Sequence, residues 1–257
     1  MTMQNIYDNE IFFNGYSKIR ENESNANNIF EKPALFSLLP TLNNKTVLDL
    51  GCGYGEHCIH FVKKGAKFVK KGAKRVVGID ISQKMLAIAK AENAHQNISY
   101  LNMPMEDIGE LQERFDIVVS SLAFHYVEDF QALIKSIYIL LNDGGVMVFS
   151  QEHPINTCFS TGSRWTKDEN GNKLFANISN YSVEGEREST WFDDKVKKYH
   201  RTFSTIINTL IESGFQIKKL IEPVPTPEIL KENPDYKDLL HKPDFLLIKA
   251  TKGTSRL

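Results

Sequence analysis

The chain has 257 residues, and its 31 Lys and Arg against 32 Asp and Glu give a formal charge of −1. That balance supplies no electrostatic reason for nucleic acid or an anionic membrane as an obligatory partner, and no apolar run approaches the roughly 20 residues that span a bilayer. Cys52, Cys58 and Cys158 are odd in number and lack CxxC spacing, which predicts neither a disulfide framework nor a metal site; with no signal-peptide core in MTMQNIYDNE, a soluble, cytoplasmic protein is expected.

Residues 1–32 are polar and asparagine-rich, yet Phe12, Tyr16 and Ile19 follow helical spacing. Pro33 suits the first turn of a helix whose apolar face is Ala34, Leu35, Leu38 and Leu39. Thr46 to Leu50 is a short apolar run that reads as a buried strand. It breaks into Gly51-Cys52-Gly53-Tyr54-Gly55, and a helix-compatible segment follows from His57 to Val62. Strand, glycine turn and helix place helix N–H groups and bare main chain beside a ligand. One glycine permits a turn with positive φ, and another lets a ligand lie against the backbone.

Next comes a perfect tandem repeat, Phe61-Val-Lys-Lys-Gly-Ala-Lys67 followed by the same seven residues as 68–74. A helix running through both copies would overshoot the next strand by roughly 10 Å at 1.5 Å per residue. The expectation is that the helix ends near Gly65 and one copy bulges into solvent; a long helix with its overhang absorbed elsewhere is the alternative. The strand Arg75 to Asp80 ends in a carboxylate, which in doubly wound sheets accepts from ribose hydroxyls. A dinucleotide fingerprint wants glycine where Glu56 stands, which weakens a NAD reading. Ser82 is a good N-cap for a helix with Met85, Leu86, Ile88 and Ala89 inside. Strands are expected at 97–101, 115–121 and 146–150. Between the last two lies a helix at 130–141, ended by the turn residues Asn142-Asp143-Gly144-Gly145. Residues 155–200 are polar with interspersed aromatics and read as a small β-rich cap, with a hairpin-like turn at 168–172. A helix at 201–213 and strands at 215–221 and 245–250 close the chain, joined by a proline-rich connector.

The glycine motif DLGCGYG with VVGIDIS resembles the first two motifs of class I S-adenosylmethionine-dependent methyltransferases. The likeness continues through MEDI (105–108), FDIVVSSLAFHYVED (115–129) and LLNDGGVMVFSQEHP (140–154). Removing one copy of the repeat restores the spacing usual in that family between the glycine motif and the ribose acid. The resemblance implies a doubly wound, seven-stranded, mostly parallel α/β sheet of Rossmann-like methyltransferase type with a small cap after the fifth strand. Residues 1–154 would hold an N-terminal lid segment and the cofactor-binding half, 155–200 the cap, and 201–257 the elements completing the sheet. It implies S-adenosylmethionine as cofactor, S-adenosylhomocysteine as product and no metal. A small-molecule acceptor is expected, with a monomer or homodimer; protein methylation and, further off, NAD-dependent redox chemistry are the alternatives.

Position by position, the resemblance implies cofactor contacts from Gly51, Cys52 and Gly53 to the methionine part, helped by Asp49 and His57. Tyr16 and Arg20 would lie near its carboxylate. Asp80 would take the ribose, Ile81 and Met85 the adenine face, and Asp107 the exocyclic amine with Met105 or Glu106 beside it. Ser121 and Leu122 would line the far side. Ligands in such sheets sit outside the carboxyl ends of the strands, so the substrate-side candidates are His125 and Tyr126 after the fourth strand, and Glu152 and His153 after the fifth. Of these His125, His153 and Tyr126 are the catalytic candidates, either histidine serving as a base near neutral pH.

Overall fold

Each apolar run becomes a strand because two faces of one sheet must be covered. The structure, a computed structural model, describes residues 5–253 except 11, 14, 16, 17, 19–21, 23, 64–71, 192 and 193. Tyr16, Ile19 and Arg20, expected in the N-terminal lid, lie outside the described residues. The strands are β1 (Thr46–Leu50), β2 (Arg75–Asp80), β3 (Ile98–Asn102), β4 (Phe115–Ser120), β5 (Leu141–Glu152), β6 (Trp165–Lys167), β7 (Lys173–Ala176), β8 (Gly185–Trp191), β9 (Asp194–His200), β10 (Phe215–Ile221) and β11 (Phe245–Lys252). Seven of them form one sheet in the order β10-β11-β5-β4-β1-β2-β3. The pairs from β5 through β3 are parallel, and β11 runs against both its neighbours.

The period of two sorts the strand residues onto two cores. Leu48, Leu50, Val77, Ile79 and Val118 face the helices α4 (Phe130–Leu140) and α5 (Phe203–Glu212), while Val47, Val76, Ile117 and Val119 face α1 (Lys32–Leu38) and α2 (Glu56–Lys63). The second group also packs on Leu86 of α3 (Gln83–Glu92). Local signals set the helix starts. Ser82 Oγ accepts from the Met85 N–H at 3.1 Å, and Asp129 Oδ1 accepts from the Ala132 N–H at 2.8 Å.

The fifth strand is longer than its apolar centre indicates. Residues 142–145, expected as a turn, lie inside β5: Phe115 pairs with Leu141, and the register then jumps to Ile117 with Val146. Gly144 sits at φ 72°, which lets the extra residues bulge without breaking the strand. The proline-rich connector is not open coil either; it holds short helical segments at Pro227–Glu232 and Pro234–Leu240. Between β5 and α5 lie two separate antiparallel hairpins, β6–β7 and β8–β9.

At the tandem repeat, α2 is described as far as Lys63, and the Ala73 N–H donates to the Phe61 carbonyl at 2.9 Å. Residues 72 and 73 thus stand against the last turn of α2, while the expected helix end near Gly65 and the bulge lie outside the described residues. A Cβ on Gly72 would stand 2.3 Å from the Val62 carbonyl oxygen, so this approach needs glycine. Excising residues 65–71 leaves one intact Phe-Val-Lys-Lys-Gly-Ala-Lys, with its glycine. We expect this variant to fold with a melting temperature equal to or above the parent, since the link between α2 and β2 is seven residues shorter; failure to fold in circular dichroism would show that the second copy is structural.

Candidate active site

The strand order reverses between β1 and β4, and the space outside their carboxyl ends is where an open α/β sheet receives a ligand. A cavity of about 1640 Å³ occupies it. One end is built by the glycine loop. Gly51 has φ 70°, and a Cβ there would stand 2.8 Å from the Ala123 Cβ. Gly53 has φ 52°, and a Cβ there would meet nothing within 4 Å, so its bare main chain faces open space. The Gly53 N–H donates to Asp80 Oδ2 and the Ser82 N–H to Asp80 Oδ1, both at 2.8 Å. Asp80 thus ties the loop after β1 to the tip of β2.

Asp49 lies beneath the loop at 1 % exposure. Its Oδ2 accepts from the Cys58 thiol at 3.3 Å, and its Oδ1 is buried with no partner among the described residues. Burial, set against that one hydrogen bond, pushes its carboxyl up to about 7. Cys52 is buried beside it, and burial leaves the Cys58 thiol well above its usual range. Ile81, Met85, Met103, Met105 and Glu106 line the adjoining wall. Asp107, one residue on in the same turn, is not part of that wall. Nor is His57, whose ring stands edge-on to Phe36 at 5.2 Å. Ser121 and Leu122 do line the cavity, and they are held from below by a residue the sequence reading passed over. Glu31, 2 % exposed, accepts from the hydroxyls of both Ser121 and Ser150.

Described residues near the N-terminus reach the cavity and the helix beside it. Asp8 accepts from Ser82 Oγ at 2.6 Å and from the Lys84 N–H at 3.1 Å, so it serves the start of α3 from far away in sequence. Ile6 and Tyr7 line the cavity, and the Tyr7 hydroxyl meets that of Tyr126 at 3.3 Å.

The far end is built by strand tips β4 and β5 with the β8–β9 hairpin. His125 is 3 % exposed, and its Nδ1 accepts the Glu152 N–H at 3.4 Å. Burial pushes the imidazole down to about 4, so it is neutral at neutral pH. With Nδ1 accepting, the single proton sits on Nε2, which faces Glu152 Oε1 at 3.9 Å. His125 therefore offers the cavity a donor, contrary to the expected base. Burial alone would raise the Glu152 carboxyl; the positive charges around it, the paired Lys198 ammonium among them, outweigh that and hold it below the usual range. Lys198 belongs to β9, and its pairing with Glu152 fastens the hairpin to the sheet.

His153 is placed elsewhere. Its Nδ1 accepts from the Ile155 N–H at 3.1 Å, and its Nε2 lies 2.9 Å from Glu222 Oε1. It lines a separate depression of about 310 Å³ with Ile178, Tyr181 and Phe203. Both ring nitrogens are engaged, and neither faces the main cavity. Among the described residues, no group of three or more His, Cys, Asp or Glu is set to hold a metal ion, and no helix is long and apolar enough to cross a membrane.

Comparison with known proteins places this geometry. Residues 42–208 match the family described as "Methyltransferase domain". A protein of uncharacterised function from Haemophilus influenzae is 41% identical over 253 residues, covering 96% of each chain. Among solved structures, one from Listeria monocytogenes, assigned as an S-adenosylmethionine-dependent methyltransferase, is 43% identical, with TM-score 0.78 over 86% of this chain and 96% of that one. An S-adenosylmethionine-dependent methyltransferase from Mesorhizobium loti is 36% identical, with TM-score 0.77 over 90% and 99%. A ubiquinone biosynthesis O-methyltransferase from Bradyrhizobium is 36% identical over 114 residues, which span 44% of this chain and 42% of that protein. The chain belongs to the methyltransferase-domain family, and within it to the S-adenosylmethionine-dependent enzymes.

Proposed function

We propose that the chain transfers the methyl group of S-adenosylmethionine to a small-molecule acceptor seated between His125 and Glu152, leaving S-adenosylhomocysteine. The observation that carries this reading is one continuous cavity with two chemically distinct ends. At about 1640 Å³ it exceeds the roughly 300–1,000 Å³ of a single-ligand pocket, so a cofactor and an acceptor have room together. The likeness to a ubiquinone biosynthesis O-methyltransferase over part of the chain also favours a small acceptor over a polypeptide.

The glycine-loop end suits the cofactor. The open space at Gly53 is a place where only main chain can approach a ligand. The unpartnered Asp49 Oδ1 asks for a donor, and a cofactor ammonium, directly or through a water, would supply one. Asp80 would take the ribose hydroxyls on lone pairs its two N–H donors leave over. Ile81 and Met85 would pack on the base, with Glu106, which stands on the wall, nearer to it than Asp107. The cofactor supplies a sulfonium-bound methyl open to in-line displacement. This chain's residues must hold the nucleophile on that axis and exclude water. His125 Nε2–H would orient the acceptor, Tyr126 would close the space with Tyr7, and the Glu152 carboxylate would receive the acceptor's proton.

Incubating the protein with methyl-labelled S-adenosylmethionine and the two ultrafiltration fractions of a cell extract tests the acceptor class. Label is expected in the small-molecule fraction. Label retained on polypeptides, with none in the filtrate, would sink the small-acceptor reading while leaving the methyltransferase itself standing.

A further inference from the structure

Among the described residues four cations line the cavity, and three are matched to a carboxylate. Lys197 pairs with Glu186 at 3.1 Å, Lys198 with Glu152, and Lys242 with Asp244 at 3.0 Å. Arg164, at the outer rim of the acceptor end, pairs with no carboxylate among the described residues. It is not loose for that reason. Its guanidinium lies over the Phe159 ring at 5.2 Å, and one amino group donates to the Asn156 carbonyl at 2.8 Å. Asn156 is in turn fixed by Asp244, whose Oδ1 accepts from its side-chain amide at 2.7 Å. The remaining N–H donors of a planar, pre-oriented fork are the arrangement that takes a carboxylate through two parallel hydrogen bonds.

The surrounding charges decide which anion and where. Lys242 and Asp244 cancel beside Arg164, leaving about one positive charge, which matches a monoanion better than a phosphate dianion. Of the other carboxylates nearby, Glu186 and Glu188 are paired with Lys197 and Lys195, so neither draws on the charge of Arg164. Arg164 is close enough for its charge to act on the Glu152 carboxyl, yet the two do not pair. They face a common space that a short molecule spans.

We infer that Arg164 forms a carboxylate subsite and that the methyl acceptor is a small carboxylic acid, its acid group on Arg164 and its nucleophilic O–H or N–H turned toward Glu152. This rests on the small-molecule reading above. It adds what that reading lacks, a polarity for the acceptor and an end to hold it by.

The test uses matched pairs of hydroxy, phenolic and amino acids, each acid beside its primary amide, with saturating S-adenosylmethionine and S-adenosylhomocysteine formation as the readout. The acid of a reactive pair is expected to exceed its amide in kcat/KM by ~10-fold or more. Arg164→Gln should remove the preference by raising KM for the acid, and Arg164→Lys should restore only part of it, because an ammonium cannot reproduce the fork. S-adenosylhomocysteine affinity, measured by calorimetry, serves as the check that the variants fold. If no pair reacts, the same pairs are titrated into S-adenosylhomocysteine-loaded protein. Amides binding or reacting as well as acids, or an acid preference that survives Arg164→Gln, overturns the subsite. Loss of S-adenosylhomocysteine binding by the parent would instead overturn the cofactor reading.

Discussion

Replacing Asp80 by alanine is expected to weaken S-adenosylhomocysteine binding by about a hundredfold or more, with the fold retained. The size follows from the bonds involved. A hydrogen bond to a charged group contributes about 1.5–3 kcal/mol, two ribose hydroxyls make two of them, and about 1.4 kcal/mol is a factor of ten. The structure adds a second cause. Asp80 already accepts the Gly53 and Ser82 N–H groups, so alanine also frees the glycine loop that must lie against the ligand. Asp80→Asn separates the two effects. It keeps the shape and one good acceptor, so its affinity should fall between parent and alanine variant. The fold is expected to survive because Asp80 lines the cavity and belongs to neither apolar core. Calorimetry at constant ionic strength measures the loss, and an affinity within twofold of the parent would remove Asp80 from the ribose.

What could be read from the sequence was the chemistry that is local in the chain. The stretch from Asp49 to Gly55 and the acid at Asp80 are legible together, because a glycine turn alone is an ordinary turn and the strand-tip carboxylate after it makes the two one nucleoside-binding unit. Seven strand positions followed from the apolar runs, while the doubly wound sheet that joins them came with the family resemblance. What could not be read was any partner fixed by the fold. Glu31 sits on a helix among apolar neighbours, and only its approach to Ser121 and Ser150 shows why a buried carboxylate is tolerated there. His153 and Glu152 occupy neighbouring strand-end positions, and the alternation of a strand sends them to different spaces. One meets Glu222 and caps a helical turn, and the other meets Lys198 from a hairpin 46 residues away. His57 has the spacing to reach the glycine loop, but Phe36 of α1 takes its ring. Arg164 and Lys242 reach the cavity only through loop geometry, which carries no periodic signal.

Glu152→Gln is expected to lower turnover by roughly a hundredfold or more, the usual contribution of a positioned base, while S-adenosylhomocysteine affinity stays within about twofold, because the carboxyl stands at the acceptor end, away from the glycine loop. Glutamine keeps the size and cannot accept the proton. The pH profile should carry the same signature. The Glu152 carboxyl titrates below its usual range, and a base is active only when ionised, so kcat/KM should stay level through neutral pH and fall only in the acid range, below the usual glutamate value of 4.5. A histidine base at its ordinary value would lose rate between about pH 7 and 6. His125, pushed down to about 4 with its proton on Nε2, predicts no such limb. One structural effect must be separated from the chemistry, since Glu152→Gln removes the carboxylate paired to the buried Lys198, and weakening a buried ion pair is costly. The double variant Glu152→Gln, Lys198→Met removes both members. If Glu152 accepts the proton, the double variant melts nearer the parent than the single variant yet remains as slow. Recovery of turnover along with stability would make Glu152 a fastener for the β8–β9 hairpin and nothing more.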